Sequence, residues 1–374
     1  MKKIGFAGSF DPITNGHVYV VNEALKLADT VEIIIAVNPS KSCMFTGEER
    51  FDMIKNVFKD KPVNVHLVEN EYVASYMASI DCTHMIRGIR NGTDFEYEKL
   101  IQRANMTVFG GVQTLFVIPP SDLESVSSSF VKGLIGPQNW THFIKNFIPT
   151  EVFNKILNKK IEEMVPQYKL LPPKLKNIFY NCYTQPNRYY HNLEHIYNML
   201  VIYEKYFSSN IFQNNEVVWA ILLHDIVYKK QANSFLSFSP KLSDEENSAM
   251  NVDIFVDDSH CLVLIKNLIL ATDFQKTTQD YLENVIKYVD MYILCSPPDI
   301  YDEYAKNIRK EYQEYSDIDY KVGRLAVLNT ILDKITNGQV FNIGKHYKLH
   351  TEQATINISR EIERLENENS VGNK

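Results

Sequence analysis

The chain has 374 residues, of which 45% are hydrophobic and 23% charged, and its formal charge is −7. That length suggests two domains, and the ordinary composition excludes wholesale disorder, a collagen-like fibre and a disulfide-stapled miniprotein. The acidic balance, with a pI near 5.8, argues against a general nucleic-acid surface. The charge is unevenly placed: residues 1–160 carry 17 basic and 17 acidic side chains, residues 161–374 carry 22 and 29. Five scattered cysteines (Cys43, Cys82, Cys182, Cys261, Cys295) form no CxxC pair, so reduced thiols are expected. The opening MKKIGFAGSF is too short for a signal-peptide core, and no apolar run approaches the ~20 residues of a membrane helix. A soluble cytoplasmic protein without nucleic-acid or membrane partners is the expectation.

Strand-like and helix-like segments alternate over the first 160 residues. Lys3–Ala7, Val31–Val37, Val63–Val68, Met85–Arg87 and Thr114–Ile118 read as strands. Between them Val18–Leu27, Glu48–Phe58, Val73–Ile80 and Phe95–Phe109 read as helices, and Glu151–Lys160 closes the unit. This alternation, with fully apolar strands, predicts an α/β domain built on a doubly wound parallel sheet. After Lys160 the prolines 166, 172 and 173 punctuate a stretch with no strand signal. Then come helical runs at Leu193–Tyr206, Val217–Tyr228, Ala249–Phe255, Cys261–Ala271, Leu282–Leu294, Ile300–Tyr315 and Tyr320–Lys334. The second domain, 166–360, is therefore expected to be all-α, with the last dozen polar residues frayed.

Two constellations carry chemistry. The first, GSFDPITNGH (Gly8–His17), follows the first strand and opens the first helix. Unpaired backbone N–H groups at such a turn form an anion site, with Gly8 allowing close approach and His17 facing the crevice. Read alone, the stretch is as easily an ordinary turn.

It does not stand alone. It resembles the TxGH-type signature of the nucleotidyltransferase superfamily, and four further segments resemble the phosphopantetheine adenylyltransferase family: Pro39-Ser40-Lys41, MIRGIRNGTDFEYE (85–98), Ser127-Ser128-Ser129 and HFIKNFIPTEVFNKIL (142–157). The resemblance covers about residues 1–160 and implies a Rossmann-like nucleotidyltransferase. Its reaction moves the adenylyl group of ATP, bound with Mg²⁺, to 4′-phosphopantetheine, giving dephospho-CoA and pyrophosphate. Catalysis would fall to His17, Lys41 and Arg90, by positioning and charge neutralisation rather than a protein nucleophile. The resemblance puts Ser9, Phe10, His17, Gly88, Ile89, Arg90, Glu98 and Ser127–Ser129 against the nucleotide. It puts Ser9, Lys41, Val73 and Arg87 against the acceptor. It also implies a homo-oligomer. Two departures stand out: Leu123-Glu124 replace an aromatic found in many relatives, and Ser42 replaces a second basic residue.

The second constellation lies among the helices. His191 and His195 are four apart in YHNLEHI, His224-Asp225 end an apolar run, and Asp290 sits in YVDMYIL. Histidines and carboxylates in apolar helices are costly unless paired or holding a cation, and the mixed N/O donors suit Mn, Fe, Mg or Zn. Order and context resemble the HD superfamily of metal-dependent phosphohydrolases over about residues 170–345. That implies His195, His224, Asp225 and Asp290 as ligands, with His191 beside the metal shell or facing substrate. Arg188, Lys229 and Glu245 are candidates for phosphate contact or base function; Glu245 reads equally well as part of a helix-opening capping box. The residues following Thr272 lack the histidine that a second metal would use, and Lys306–Glu314 reads as a solvated helix face. Two other readings stay open: the helical domain as a scaffold or oligomerisation module, and the first domain as a nucleotide sensor controlling the second.

Overall fold

Apolar, β-branched runs become five parallel strands: β1 (Lys3–Gly8), β2 (Thr30–Val37), β3 (Val63–Glu69), β4 (His84–Gly88) and β5 (Gln113–Val117). The computed structural model describes residues 1–37, 42–108, 111–137, 139–207, 215–229, 235–344 and 346–367. In it the chain divides into two units, Met1–Ile156 and Leu157–Lys374.

The first unit's sheet has the order β3-β2-β1-β4-β5. Chain order runs outward from β1 to β3, then returns to β4 on the other side, so the direction of winding reverses between β1 and β4. The helices are α1 (Asn15–Leu25), α2 (Gly47–Val57), α3 (Val73–Ser79), α4 (Gly92–Val108), α5 (Ser128–Leu134) and α6 (Trp140–Ile144). A further helix, α7 (Thr150–Met164), contains the division between units. Right-handed crossovers place the connecting helices on opposite faces either side of the reversal. Alternate strand residues bury against them: Ala7, Ile34, Val68 and Met85 pack with Ala74 and Met77 of α3.

The second unit is helical: α8 (Pro166–Leu170), α9 (Pro173–Tyr183), α10 (Leu193–Tyr206), α11 (Asn215–Leu223), α12 (Asp244–Met250), α13 (Ser259–Ala271), α14 (Tyr281–Asp290), α15 (Pro298–Glu311), α16 (Asp317–Thr336) and α17 (Tyr347–Asn367). Pro166 and Pro173 occupy first helical positions, where a missing N–H costs nothing; they start helices that the sequence reading did not expect. Four expected helical runs stop early, those through Phe255 and Tyr315 at Met250 and Glu311. The run through Tyr228 ends at Leu223, because the carbonyls of Asp225 and Ile226 accept from the Arg188 guanidinium at 2.7 and 3.3 Å. The run through Leu294 ends at Asp290 and continues as a 3₁₀ turn, Met291–Cys295. The frayed tail falls largely outside the described residues. Among those described, no helix is long and apolar enough to cross a membrane.

Candidate functional site

A cavity of about 420 Å³ opens at the carboxyl ends of β1 and β4, where the strand order reverses. Open α/β sheets bind ligands at that point. Its lining includes Gly8, Ser9, Phe10 and His17 from the β1–α1 connection, and Arg87, Gly88, Arg90 and Glu98 from β4 and α4. Leu123 and Ser127–Ser129 complete it.

The TNGH segment makes a reciprocal cap. Thr14 is the N-cap of α1 and its side chain accepts from the His17 backbone N–H; in return the Thr14 backbone N–H donates to His17 Nδ1 at 3.0 Å. An accepting Nδ1 leaves the proton on Nε2, the nitrogen free for the cavity. Surrounding protein atoms, and then the Arg90 charge, push the imidazole pKa down to about 4; it is therefore a neutral N–H donor at pH 7. Phe10 packs edge-on against the ring, with centroids 5.2 Å apart, and is itself 2% exposed. Gly16 is required by space: a Cβ there would lie 3.0 Å from the Val126 carbonyl oxygen.

The β1–α1 connection is tied down by Asp11, Arg50 and Lys132, which the sequence reading did not single out, and by Ser128, which it did. Asp11, 1% exposed, accepts from the Met44 and Phe45 backbone N–H groups at 2.9 Å each and from Lys132 Nζ at 2.8 Å. Burial opposes ionisation, but Lys132 and the two backbone donors hold the carboxyl below its usual range. Buried Arg50 donates to the Ser9 carbonyl at 2.6 Å, and Ser128 Oγ donates to the Pro12 carbonyl at 2.8 Å. Ser127 is the N-cap of α5. Of the serine run, two hydroxyls thus serve the fold and Ser129 lines the cavity.

Arg87 and Glu98, expected on different ligands, face each other at 3.0 Å. Arg87 also donates to the Ala7 carbonyl at 2.6 Å. Arg87 Nε and Glu98 Oε2 are buried without an aligned hydrogen bond, so the pair is held by charge alone. Arg90 is paired with Asp94 at 2.7 Å, and the Ile89 N–H donates to the Val117 carbonyl. Val73 does not line this cavity; it packs on the cluster of Ala7, Ile34 and Met77. Lys41 lies outside the described residues.

In the second unit, His195, His224 and Asp290 offer ligand atoms all within 4.8 Å of one another. His195 Nε2 is 3.3 Å from His224 Nε2 and 3.1 Å from Asp290 Oδ1; His224 Nε2 is 3.1 Å from Asp225 Oδ2. His224 Nδ1 faces the Ile221 carbonyl at 3.0 Å, which can only accept, so Nε2 is the nitrogen turned to the cluster. Asp225 Oδ2 is buried, and its contact with His224 is not an aligned hydrogen bond. The carboxylates sit at the ends of α11 and α14, where the helix dipole is already negative. Burial would lower the His224 pKa, yet Asp225 and Asp290 raise it to about 9; His195 is lowered, chiefly by burial. Two carboxylates, two helix C-termini and converging imidazole nitrogens fit a divalent cation.

His191 stands next to this cluster, held by Glu311. That carboxylate accepts from the backbone N–H groups of Tyr190 and His191 at 2.7 and 3.0 Å, from His191 Nδ1 at 2.7 Å and from the Tyr228 hydroxyl at 2.8 Å. Glu311 is 3% exposed; the expectation of a solvated face over Lys306–Glu314 fails there, because a polar letter in a helical pattern reads as exposed whatever it pairs with. Burial opposes its charge, but His191 and the other donors bring the Glu311 pKa down to about 2. Arg188 serves the fold, donating to the carbonyls of His191, Asp225 and Ile226. Lys229 binds the Glu311 carbonyl and pairs with Glu314 at 3.0 Å. The capping box of α12 joins Ser243 to Glu246, leaving Glu245 to line the neighbouring groove.

The cytidylyltransferase-like family model matches residues 6–133. The phosphopantetheine adenylyltransferase of Chromobacterium violaceum is 37% identical over 164 residues, 44% of this chain and 100% of that protein. That of Neisseria meningitidis serogroup C is 37% identical over 153 residues, covering 41% and 90%, and that of Streptococcus suis 39% over 135 residues, covering 36% and 83%. By the residues that build the cavity at its sheet's reversal point, and by 37–39% identity over 83–100% of these relatives, the chain belongs through its first unit to the phosphopantetheine adenylyltransferase family.

Proposed function

We propose that the first unit transfers the adenylyl group of ATP to 4′-phosphopantetheine, releasing pyrophosphate, as a step of coenzyme A synthesis. The acceptor phosphate attacks the α-phosphorus directly, so the protein's part is alignment and charge stabilisation. The observation that carries this reading is the reciprocal Thr14–His17 cap. It holds a neutral Nε2–H donor on the cavity wall, which would need no reorganisation to stabilise charge developing on an α-phosphate bound there. Arg90 adds positive charge beside it, and Arg87 with Lys41 would receive the acceptor phosphate. Mg²⁺ would enter with the nucleotide. Incubation with ATP, Mg²⁺ and 4′-phosphopantetheine should yield pyrophosphate and dephospho-CoA in equal amounts. ATP binding with no pyrophosphate release would instead favour a nucleotide sensor.

We propose for the second unit a metal-dependent phosphohydrolase site of HD type, with His195, His224, Asp225 and Asp290 as ligands. The specific support is the convergence of buried Asp225 Oδ2, 3.1 Å from His224 Nε2, with Asp290 Oδ1 on two imidazole nitrogens 3.3 Å apart. A bound divalent ion would supply a water of lowered pKa and a charge opposite the phosphate. The chain's own contribution is orientation: Ile221 sets the His224 tautomer, and Glu311 fixes His191 next to the cluster. Mn, Fe, Mg and Zn all suit these donors. Elemental analysis of the purified protein tests the reading, since a helical scaffold would carry no stoichiometric metal.

A further inference from the structure

A groove of about 470 Å³ leads away from His224, Asp225 and Asp290. That is the size of a small-molecule pocket, several times what a phosphate needs. Its far walls are aromatic and aliphatic: Tyr304 and Ile308 from α15, Tyr312 and Tyr315 beyond it, Val327 and Ile331 from α16. Tyrosine faces suit flat rings, with hydroxyls at their edges. Its charged lining is mostly acidic. Beyond the cluster's own Asp225 and Asp290, the lining carries Asp244, Glu245 and Asp319. The guanidinium that reaches it, Arg324, is already matched by buried Glu361 at 2.9 Å. A second phosphate or carboxylate would therefore meet repulsion along the groove, whereas an uncharged group would not.

One edge of the groove is bare backbone. Gly323 lies in the interior of α16, where glycine weakens a helix relative to alanine. An added Cβ there would meet nothing within 4 Å, and the residue lines the groove. Glycine at this point keeps bare backbone under the space that a ligand would fill.

We propose that this groove takes the organic part of a phosphoester that bears one phosphate group, at the His–Asp cluster, and a flat, uncharged apolar group, along α16. The proposal rests on reading the cluster as a metal-dependent phosphohydrolase site, and names the class of compound that site selects.

The test uses the full-length protein and calorimetric titration. Mn²⁺ alone is titrated first, with Asp225→Ala as the control that should lose it. Then naphthalene-1-phosphonate and methylphosphonate, neither of which can be hydrolysed as an ester, are compared on the Mn²⁺-loaded protein. The naphthyl compound should bind roughly tenfold more tightly or better, because it removes its rings from water. Gly323→Leu puts a side chain into the groove from its α16 edge and should erase most of that preference while leaving Mn²⁺ affinity unchanged. Tyr315→Ala, a half-exposed rim position, should reduce it by roughly threefold, through loss of one ring face. Mn²⁺ binding without a naphthyl preference, or a preference that survives both variants, overturns the groove assignment and leaves the metal reading standing. Failure to bind Mn²⁺ at all overturns the metal reading, and this proposal with it.

Discussion

Thr14 and His17 show how much chemistry one capping interaction can set. Because the Thr14 N–H occupies Nδ1, the imidazole presents a proton from Nε2 without being charged. His17→Ala should lower kcat for pyrophosphate release by roughly 10²–10³, the loss expected for one donor to a developing oxyanion, with KM changed far less. The pH behaviour follows from the depressed pKa of about 4. Unfolded, the ring takes up a proton below about pH 6.5; folded, it does so only near 4. Folding stability therefore falls as pH drops through that window. Urea titrations at pH 7 and pH 4.5 should show a smaller acid loss for His17→Gln than for the parent chain. Equal losses would place the imidazole in solvent. Glu311 makes a parallel case. Removing it as Glu311→Ala strands His191 and two backbone N–H groups, and should cost about 3–5 kcal/mol, read by calorimetry, as for breaking a buried charged pair. The His17 position was legible because its motif is local in sequence. Glu311 was not, because its partners lie about 120 residues away and its own helix reads as polar.

Among the helices and strands, legibility tracked how apolar the buried positions are. β2 buries its first six residues and could hardly be missed. In α17 the buried positions His350, Ala354, Asn357, Ile358, Glu361 and Leu365 fall at helical spacing, yet half are polar, so the periodicity is hidden in the letters. Those polar residues are satisfied: Asn357 donates to the Leu294 and Ser296 carbonyls at 3.0 and 2.8 Å. Where α1 meets the 123–126 segment, space decides. Gly16→Ala should press its methyl against the Val126 carbonyl and cost about 1–3 kcal/mol, as overpacking does. Because α1 carries His17, kcat should fall with stability. A variant that melts at the parent temperature would show that the segment yields freely.

The two proposed chemistries, one in each unit, should be separable by mutation. Asp225→Ala should abolish bound metal and leave pyrophosphate release unchanged; His17→Ala should do the reverse. Metal content and the transferase assay on both variants check this, and a joint loss would argue for coupling. If the proposed site holds Mn²⁺, adding it at about a hundred times its Kd should stabilise the second unit by about 2.7 kcal/mol through mass action, visible as a raised transition in calorimetry.

The buried Arg324–Glu361 pair bears on how the protein is made. Arg324 donates to Glu361 through Nε at 2.9 Å and Nη2 at 3.1 Å, and Glu361 also receives the Tyr301 hydroxyl. During synthesis the ribosome releases Tyr301 and Arg324 well before Glu361, leaving a guanidinium that cannot be buried until α17 emerges. The first unit's sheet is complete by residue 117 and can close while the rest is still being translated, since domains fold as units from the N-terminal end. Around Arg324 the helical unit waits for α17, and in that interval its unfinished apolar surface is what a chaperone would meet.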